Sequence, residues 1–128
     1  MSNPPKGLPS IRTIAMPSDA NPNGDIFGGW LMAQMDLAGG TYAFEFAGGR
    51  VTTVAVDAMS FHLPVQVGDQ VSCYCSMERV GTTSVAVKVE TWVRRRHDQA
   101  EERVTEGLFT FVAIDAAGRP RPIREPGS

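Results

Sequence analysis

The chain has 128 residues, of which 42% are hydrophobic and 20% charged, and its formal net charge is -2 at pH 7. This length is enough for one domain whose hydrophobic core needs no disulfide or metal to hold it. The slight negative charge argues against nucleic acid as the main partner. No apolar run is long enough to predict a membrane span. The first ten residues are polar and proline-rich, so we expect no signal peptide there.

The only two cysteines, Cys73 and Cys75, lie two residues apart in a strand-like run. Cysteines at this spacing share one face of a strand but do not have the geometry of a mutual disulfide. We therefore expect free thiols and a cytoplasmic protein. The two histidines, His62 and His97, show no metal-ligand spacing with the cysteines, and we predict no metal site.

The first predicted strand, residues 12–16, ends at Pro17, and a turn-forming segment follows over residues 21–25. Gly28 and Gly29 come next and allow close approach of another backbone or of a ligand. They precede a predicted helix. The unpaired N–H groups at the start of a helix favour an anion or a developing oxyanion.

The predicted helix runs from Trp30 to Phe46 and is apolar almost all round, which is typical of a helix covered by a sheet. One mildly polar stripe contains Gln34, Ala38, Thr41 and Glu45. Asp36 lies about 200° from Gln34 around the helix and so points away from that stripe. A carboxylate in such a place is either a structural group bonded to nearby backbone or a catalytic base or nucleophile. The residues alone leave both interpretations open.

Alternating and β-branched patterns predict four strands after the helix. Their ranges are residues 51–61, 70–80, 84–95 and 104–115. We interpret residues 94–103 as a solvated, charged loop and residues 118–124 as a basic tail. A short strand, a long central helix and four antiparallel strands in succession predict an α+β protein of hotdog architecture. One domain over residues 11–123 is expected, with a flexible N-terminal tail (1–10) and a short C-terminal tail (124–128). A sheet of this kind leaves an edge uncovered, so dimerisation is expected.

Three runs of the sequence resemble the hotdog-fold acyl-CoA thioesterases of the YciA type. They are MPSDANPNGDIFGGWLMAQMDLAGG, VTTVAVDAMSFHLPVQVGD and VGTTS. The resemblance covers the chain from about residue 11 to residue 123. It implies hydrolysis of acyl-CoA to a free acid and coenzyme A, without a separate cofactor. It also implies a homodimer with active sites at the subunit interface, arranged as a trimer of dimers.

The resemblance assigns roles to the segment around the helix start. Asp36 matches the catalytic carboxylate of the family. Asn21 matches a second active-site residue, which faces the helix aspartate of the other subunit. Gly28 and Gly29 match the positions whose backbone N–H groups polarise the thioester carbonyl. Such a donor stabilises the negative charge that develops on the carbonyl oxygen.

Coenzyme A carries phosphates, which favour Arg and Lys as partners. The candidate contacts are Arg119 and Arg121 in the tail and the hairpin turn formed by Thr82, Thr83 and Ser84. For the two arginines, a role in keeping the tail soluble is an equal alternative.

Two rival functions fit the same fold. A hydratase or dehydratase acting on acyl thioesters needs a histidine with a carboxylate, and both histidines fall outside the loop–helix segment. A non-catalytic, regulatory acyl-CoA-binding module is the second rival, because a fold does not determine function. The presence of both Asn21 and Asp36 argues against it.

Overall fold

A computed structural model of the chain describes residues 3–123. One long helix, α1 (Gly28–Ala47), lies against a five-stranded antiparallel sheet. The sheet strands are β1 (Ile11–Ile14), β3 (Val51–Phe61), β5 (Gln70–Val80), β6 (Ser84–Arg94) and β7 (Glu101–Ala113). Two short strands, β2 (Asp25–Ile26) and β4 (Val65–Gln66), form a separate pair, and a 3-10 turn covers Pro17–Asp19. The predicted α+β hotdog arrangement is confirmed.

The order of strands across the sheet is β1-β5-β6-β7-β3. Our expectation of four strands in antiparallel succession was therefore wrong for β3. This strand does not pair with β5, which follows it in the main sheet, but with the last strand, so that Val51 lies opposite Ala113. The connection from β3 to β5 contains β4, which pairs with β2 from the segment before α1. The sequence patterns did not reveal this short pair.

The helix begins at Gly28, two residues before the predicted start, and ends at Gly48, whose left-handed φ of 71° suits a glycine. Its buried face packs on inward-facing residues of the sheet, including Val87, Val89, Phe109 and Phe111. Ala38, which we placed on the polar stripe, is fully buried against the sheet. Apolar residues of α1 occur outside its buried face as well, because the sheet covers only part of the helix circumference.

Several apolar side chains of α1 and β3 remain exposed. On the helix, Leu37 and Phe44 are 59% and 50% exposed, and on β3, Val54 and Phe61 are 56% and 51% exposed. β3 is also an edge strand, since within residues 3–123 it pairs in this sheet with β7 alone. An apolar surface beside an open edge is typical of a surface that another chain covers.

The segment predicted as a charged loop, residues 94–103, is shorter than expected because β7 already begins at Glu101. Three of its arginines, Arg94, Arg95 and Arg103, form ion pairs. Arg95 donates to the buried Asp69 at 2.6 Å and to the carbonyl of Pro64 at 2.9 Å. This ion pair fixes the turn before β5 to the end of β6. Within residues 3–123, no helix combines the length and the apolar character that crossing a membrane requires.

Candidate active site

Asp36 lies in the middle of α1 and is half-buried. The hydroxyl of Thr53, on β3, donates to Oδ1 of Asp36 at 2.6 Å. The other carboxylate oxygen, Oδ2, has no hydrogen-bond partner among residues 3–123. The carboxylate is thus held by one oxygen and open at the other.

A groove of about 410 Å³ opens beside this carboxylate, between α1 and the start of β3. It is lined by Asp36, Leu37, Gly40, Thr41, Phe44, Arg50, Val51, Thr53 and Phe111. Most of this surface is apolar, with Asp36 and Arg50 as its charged groups. Arg50 is exposed, and within the described part of the chain its guanidinium makes no salt bridge.

Sequence reasoning did not single out Thr53 or Arg50. The only signal was indirect. Arg50 follows the glycines that end the helix, and Thr53 falls two residues after Val51 on the same side of a strand. Neither residue type is distinctive at such a position without the packing of the strand against the helix.

Gly28 and Gly29 lie in the first turn of α1, whereas the sequence pattern places them just before the helix. The residue before them, Phe27, provides no side-chain cap, and the N–H of Trp30 donates back to the carbonyl of Phe27 at 3.1 Å. The N–H groups of the two glycines have no intrahelical acceptor, since the first residues of a helix lack one. They remain donors for a ligand oxygen.

A second groove, of about 280 Å³, adjoins the helix start and is lined by Ile26, Gly28, Leu31, Phe61, His62, Leu63, Pro64 and Val65. The ring of Phe61 lies so close to Gly28 that a Cβ there would come within 3.3 Å of it. His62 falls outside the loop–helix segment in sequence, but the end of β3 brings it to the groove beside the helix start. Its ring is hydrogen-bonded to Glu106 at 3.0 Å.

The helix start and Asp36 are well separated along the axis of α1. Eight residues separate Gly28 from Asp36, which corresponds to a rise of about 12 Å along the helix axis. A reacting carbonyl needs its oxyanion donors and its base within hydrogen-bond reach at the same time.

Asn21 is likewise not among the residues that line the Asp36 groove. Its Oδ1 accepts the backbone N–H groups of Asn23 at 2.9 Å and Asp25 at 3.1 Å. These two bonds hold the turn before the helix. Because the oxygen is occupied in this way, the amide nitrogen of Asn21 is the atom left to bind a ligand, as a donor.

The structure brings together the predicted coenzyme A contacts of the tail and the hairpin. The N–H of Ile123 donates to the carbonyl of Thr82 at 2.8 Å, and Thr83 accepts from the N–H of Ala113 at 2.9 Å. Arg121 is half-buried and donates to the carbonyls of Ala47 at 2.9 Å and Ile114 at 3.3 Å. Arg119 is exposed. The tail, the hairpin and the end of the helix thus meet in one region.

The cysteines lie away from the groove and are free thiols. Burial raises the pKa of Cys73 to about 11, despite a hydrogen bond with Thr91. Burial also raises the pKa of Cys75. Neither thiol is ionised near neutral pH, and a thiolate is the nucleophilic form.

The sequence and the fold of this chain both match a known class of proteins. The sequence profile of the thioesterase superfamily matches residues 23–99, and the chain belongs to this family. The acyl-CoA thioester hydrolase YciA of Salmonella typhimurium is 48% identical over 130 residues, covering 99% of this chain and 98% of that protein. YciA of Escherichia coli K12 is 49% identical over 124 residues, with 94% of each chain covered. The resemblance noted in the sequence is confirmed.

Solved structures agree with this assignment. The hexameric thioesterase y2039 from Yersinia pestis superposes with a TM-score of 0.89 at 50% identity, covering 94% of this chain and 98% of that one. HI0827, a hexameric broad-specificity acyl-coenzyme A thioesterase solved as an aspartate-to-alanine mutant, gives a TM-score of 0.90 at 49% identity. That superposition covers 95% of this chain and 90% of HI0827.

Proposed function

We propose that the chain is an acyl-CoA thioester hydrolase in which Asp36 is the catalytic carboxylate. The observation that carries this proposal is the carboxylate itself, held by Thr53 at one oxygen and open to an apolar groove at the other. Relatives of nearly the same length that carry the name acyl-CoA thioester hydrolase support the substrate class. The aspartate-to-alanine mutant of HI0827 supports the choice of residue type.

The second carboxylate oxygen of Asp36, Oδ2, can take part in the reaction in two ways. Oδ2 of Asp36 accepts a proton from water as the water oxygen bonds to the thioester carbon, or Oδ2 attacks that carbon itself to give an anhydride that water then cleaves. In both routes the C–S bond breaks, and the sulfur leaves as coenzyme A and takes up one proton. The second product is the free acid. A single turnover in oxygen-18 water separates the routes, because only the anhydride can place the label in Asp36.

The negative charge that develops on the thioester carbonyl oxygen needs hydrogen-bond donors. We propose that the N–H groups of Gly28 and Gly29, together with the amide of Asn21, supply them from the partner subunit. The rise of about 12 Å between Gly28 and Asp36 supports donors and a carboxylate that come from different chains. The exposed apolar side chains of α1 and the open edge of β3 support a dimer whose interface contains the site. Hexameric relatives favour three such dimers per assembly.

Coenzyme A then extends away from the site along the groove. Arg50 is the basic residue of the groove, and its charge suits a phosphate of the substrate. Thr82, Thr83, Ser84, Arg119 and Arg121 are proposed to contact the nucleotide end where the tail meets the hairpin. The two free thiols fit a reducing compartment, and we propose the cytoplasm as the location.

The first test is steady-state thiol release from a short and a long acyl-CoA. The variants are Asp36→Asn and, as a matched control, Glu45→Gln, which removes one negative charge from an exposed position of the same helix. We expect Asp36→Asn to lose at least about a hundredfold in kcat, since it removes the group that performs the chemistry. The control should keep the wild-type rate. A folded Asp36→Asn variant with most of its activity would refute the assignment.

A subunit-mixing experiment tests the shared site. Chains carrying Asp36→Asn are refolded or co-expressed with chains carrying Asn21→Ala, each being inactive alone. If each site combines Asp36 of one chain with Asn21 of its partner, mixed dimers contain one intact site. Random pairing should then restore roughly a quarter of the sites. No recovery in a mixture shown to contain mixed dimers would place both residues in the same chain.

The rival functions give different readouts in the same assay. A binding module would retain acyl-CoA stoichiometrically without releasing thiol. A hydratase using His62 would convert an enoyl-CoA to a 3-hydroxyacyl-CoA, again without thiol release. Mass spectrometry of the products therefore distinguishes all three.

A further inference from the structure

A short turn joins the end of α1 to the edge strand β3. It consists of residues 48–50, between Ala47, the last residue of the helix, and the first residue of the strand. Its first two residues are glycines, which have no side chains to hold the turn in place. Its third residue is Arg50, which is exposed and lines the Asp36 groove. The position of the Arg50 side chain therefore depends on what holds the turn.

The side chain of Arg121, from the C-terminal segment, spans this turn. Its Nη2 donates to the carbonyl of Ala47 at 2.9 Å, and its Nε donates to the carbonyl of Ile114 at 3.3 Å. The backbone N–H of Ile114 in turn donates to the carbonyl of Arg50 at 3.0 Å. The guanidinium thus links the residue before the turn to the residue that binds the backbone of Arg50.

Gly49, in the middle of the turn, lies against the same guanidinium. A Cβ at this position would come within 2.8 Å of Nη2 of Arg121, so that the arginine would have to move. The backbone N–H of Arg121 donates to the carbonyl of Ala113, the last residue of β7, at 2.9 Å. The arginine is therefore attached to the sheet at its backbone and to the turn at its side chain.

The chemistry of this contact suits an arginine. Each hydrogen bond that the Arg121 guanidinium makes within residues 3–123 goes to a backbone carbonyl oxygen. One of these carbonyls belongs to the last turn of α1, where the helix dipole favours a cation. The planar guanidinium carries donors that point in several fixed directions, which lets it bind two separate carbonyls at once.

We propose that Arg121 is the positioning residue for Arg50 and holds it where it meets a phosphate of coenzyme A. This inference rests on the proposed contact between Arg50 and coenzyme A. A loop that is ordered before binding takes up its ligand more tightly, because less conformational entropy is lost in the complex. The positioning role differs from a direct contact between Arg121 and the nucleotide, and the two have different consequences in a double variant.

Loss of the guanidinium should weaken the binding of coenzyme A without changing the chemical step. In Arg121→Ala, we expect the Kd for coenzyme A to rise by about two- to tenfold, the range that corresponds to the ordering of one long side chain. The kcat for thiol release should stay nearly the same. Arg121→Lys keeps the charge but replaces the fork by a single ammonium group, so it should bind coenzyme A as weakly as Arg121→Ala.

The experiment is calorimetric titration of coenzyme A into wild type, Arg121→Ala, Arg121→Lys and Arg50→Ala, with folding checked by circular dichroism. The matched control is Arg12→Ala. Arg12 also donates through its guanidinium, to Ser72 at 2.8 Å and to Tyr74 at 3.3 Å, and it is not among the residues that line the Asp36 groove. Its removal should leave the Kd unchanged. An equal rise in Kd in Arg12→Ala would overturn the proposal.

A double-mutant cycle identifies the route by which Arg121 acts. If it acts through Arg50, Arg121→Ala should cause no further rise in Kd in an Arg50→Ala background. An equal further rise would indicate a direct contact with the nucleotide and would refute the positioning role. A folded Arg121→Ala with the wild-type Kd, or an Arg121→Lys that restores it, would also refute the role. If Arg121→Ala does not fold, Gly49→Ala takes its place, because its Cβ would displace the guanidinium.

The binding measurement is independent of turnover. If Arg50→Ala binds coenzyme A as tightly as wild type, the positioning role fails together with the role of Arg50. If wild type binds coenzyme A but releases no thiol from acyl-CoA, the proposed hydrolysis fails, and the Kd values still decide the role of Arg121.

Discussion

The phenyl ring of Phe111 fills the space that a side chain at Gly39 would need. A Cβ on Gly39 would come within 3.0 Å of the ring and 3.4 Å of Val89. The missing side chain therefore allows α1 to lie close against the sheet at this point. Asp36 is one helical turn before Gly39, and Thr53 lies opposite Phe111 on the neighbouring strand. The close approach of the helix and the hydrogen bond between Thr53 and Asp36 thus involve the same aromatic ring, that of Phe111.

Gly39→Ala should therefore lower both stability and activity. Alanine gains about 1 kcal/mol in helix propensity over glycine, but forcing a methyl group into a packed core costs about 1–3 kcal/mol. We expect a net loss of about 1 kcal/mol in the free energy of unfolding, together with a lower kcat. The matched variant is Gly40→Ala, whose Cβ would lie an ordinary 3.6 Å from the same ring. Urea unfolding should show Gly40→Ala at least as stable as wild type, and a stabilised Gly39→Ala would contradict the steric argument.

The two tail arginines should respond differently to substitution by alanine. Arg121 donates to backbone carbonyls at the end of α1 and just after β7, so Arg121→Ala should lower the free energy of unfolding by about 1–3 kcal/mol. Arg119 is exposed, and Arg119→Ala should change stability by less than about 0.5 kcal/mol. If Arg119 binds the nucleotide, its removal raises KM for acyl-CoA without changing kcat. Thermal unfolding and steady-state kinetics of both variants separate the structural role from the binding role, and an unchanged KM for Arg119→Ala would leave it outside the site.

Arg50→Ala should weaken substrate binding. A charge-assisted hydrogen bond to a phosphate is worth about 1.5–3 kcal/mol, and the exposure of Arg50 places its contribution at or below the lower end. We expect KM to rise by about tenfold, with kcat nearly constant. The rise should shrink in high salt, because exposed charges are screened. A KM that is independent of Arg50 would mean that coenzyme A leaves the groove by another route.

Removing one partner of the buried ion pair should be costly. Asp69 is 2% exposed, and its Oδ2 accepts from Arg95 and from the N–H of Gln66. Breaking such a pair from one side costs about 3–5 kcal/mol, so Asp69→Ala should markedly lower the midpoint of urea unfolding. Glu101→Gln, which breaks the exposed pair with Arg94, should cost less than about 1 kcal/mol. Equal losses of stability in Asp69→Ala and Glu101→Gln would refute the distinction between the buried and the exposed ion pair.

The contact between His62 and Glu106 predicts a dependence of stability on acidity. The hydrogen bond from His62, aided by the charges of Arg103 and Lys88, lowers the pKa of Glu106 in the folded protein. The folded state then binds fewer protons than the unfolded state as the carboxylate titrates. The stabilisation is present above the ordinary pKa of 4.5 and is lost as the pH falls through the lower, folded value. The difference in Tm between wild type and Glu106→Gln should therefore be larger at about pH 6 than at about pH 3, and a difference that does not change with pH would contradict this origin.

Local patterns predicted the helix and the long strands well, because each has a clear periodicity and ends at glycine or proline. Val51–Phe61 and Gln70–Val80 were predicted residue for residue. The pairing of β3 with β7 could not be predicted, since alternation marks a strand without identifying its neighbour. The start of β7 was missed for a related reason. Glu101, Glu102 and Arg103 look like a solvated loop, but Glu101 and Glu102 form ion pairs across the hairpin with Arg94 and Arg95.

The same limit applies to the site. Asp36 stood out because a carboxylate in an apolar helix is rare. Thr53 and Arg50 did not, because their proximity to Asp36 depends on how the strand crosses the helix. Arg121 was interpreted only by its charge, whereas the structure shows its guanidinium engaged with carbonyl oxygens.

The pairing of β3 with β7, the last strand of the sheet in sequence, also determines the order in which the molecule can assemble during synthesis. The strand β3 is synthesised early, yet the neighbour it has in the main sheet within residues 3–123 is β7, which leaves the ribosome much later. Val51 therefore cannot pair with Ala113 until β7 has been made. Until then the helix with its carboxylate has no complete sheet to lie on. Contacts that are so distant in sequence slow folding and leave apolar surface exposed in the nascent chain. An interrupted or truncated translation product that stops before β7 would therefore contain every residue of the Asp36 groove except Phe111 and still have no groove.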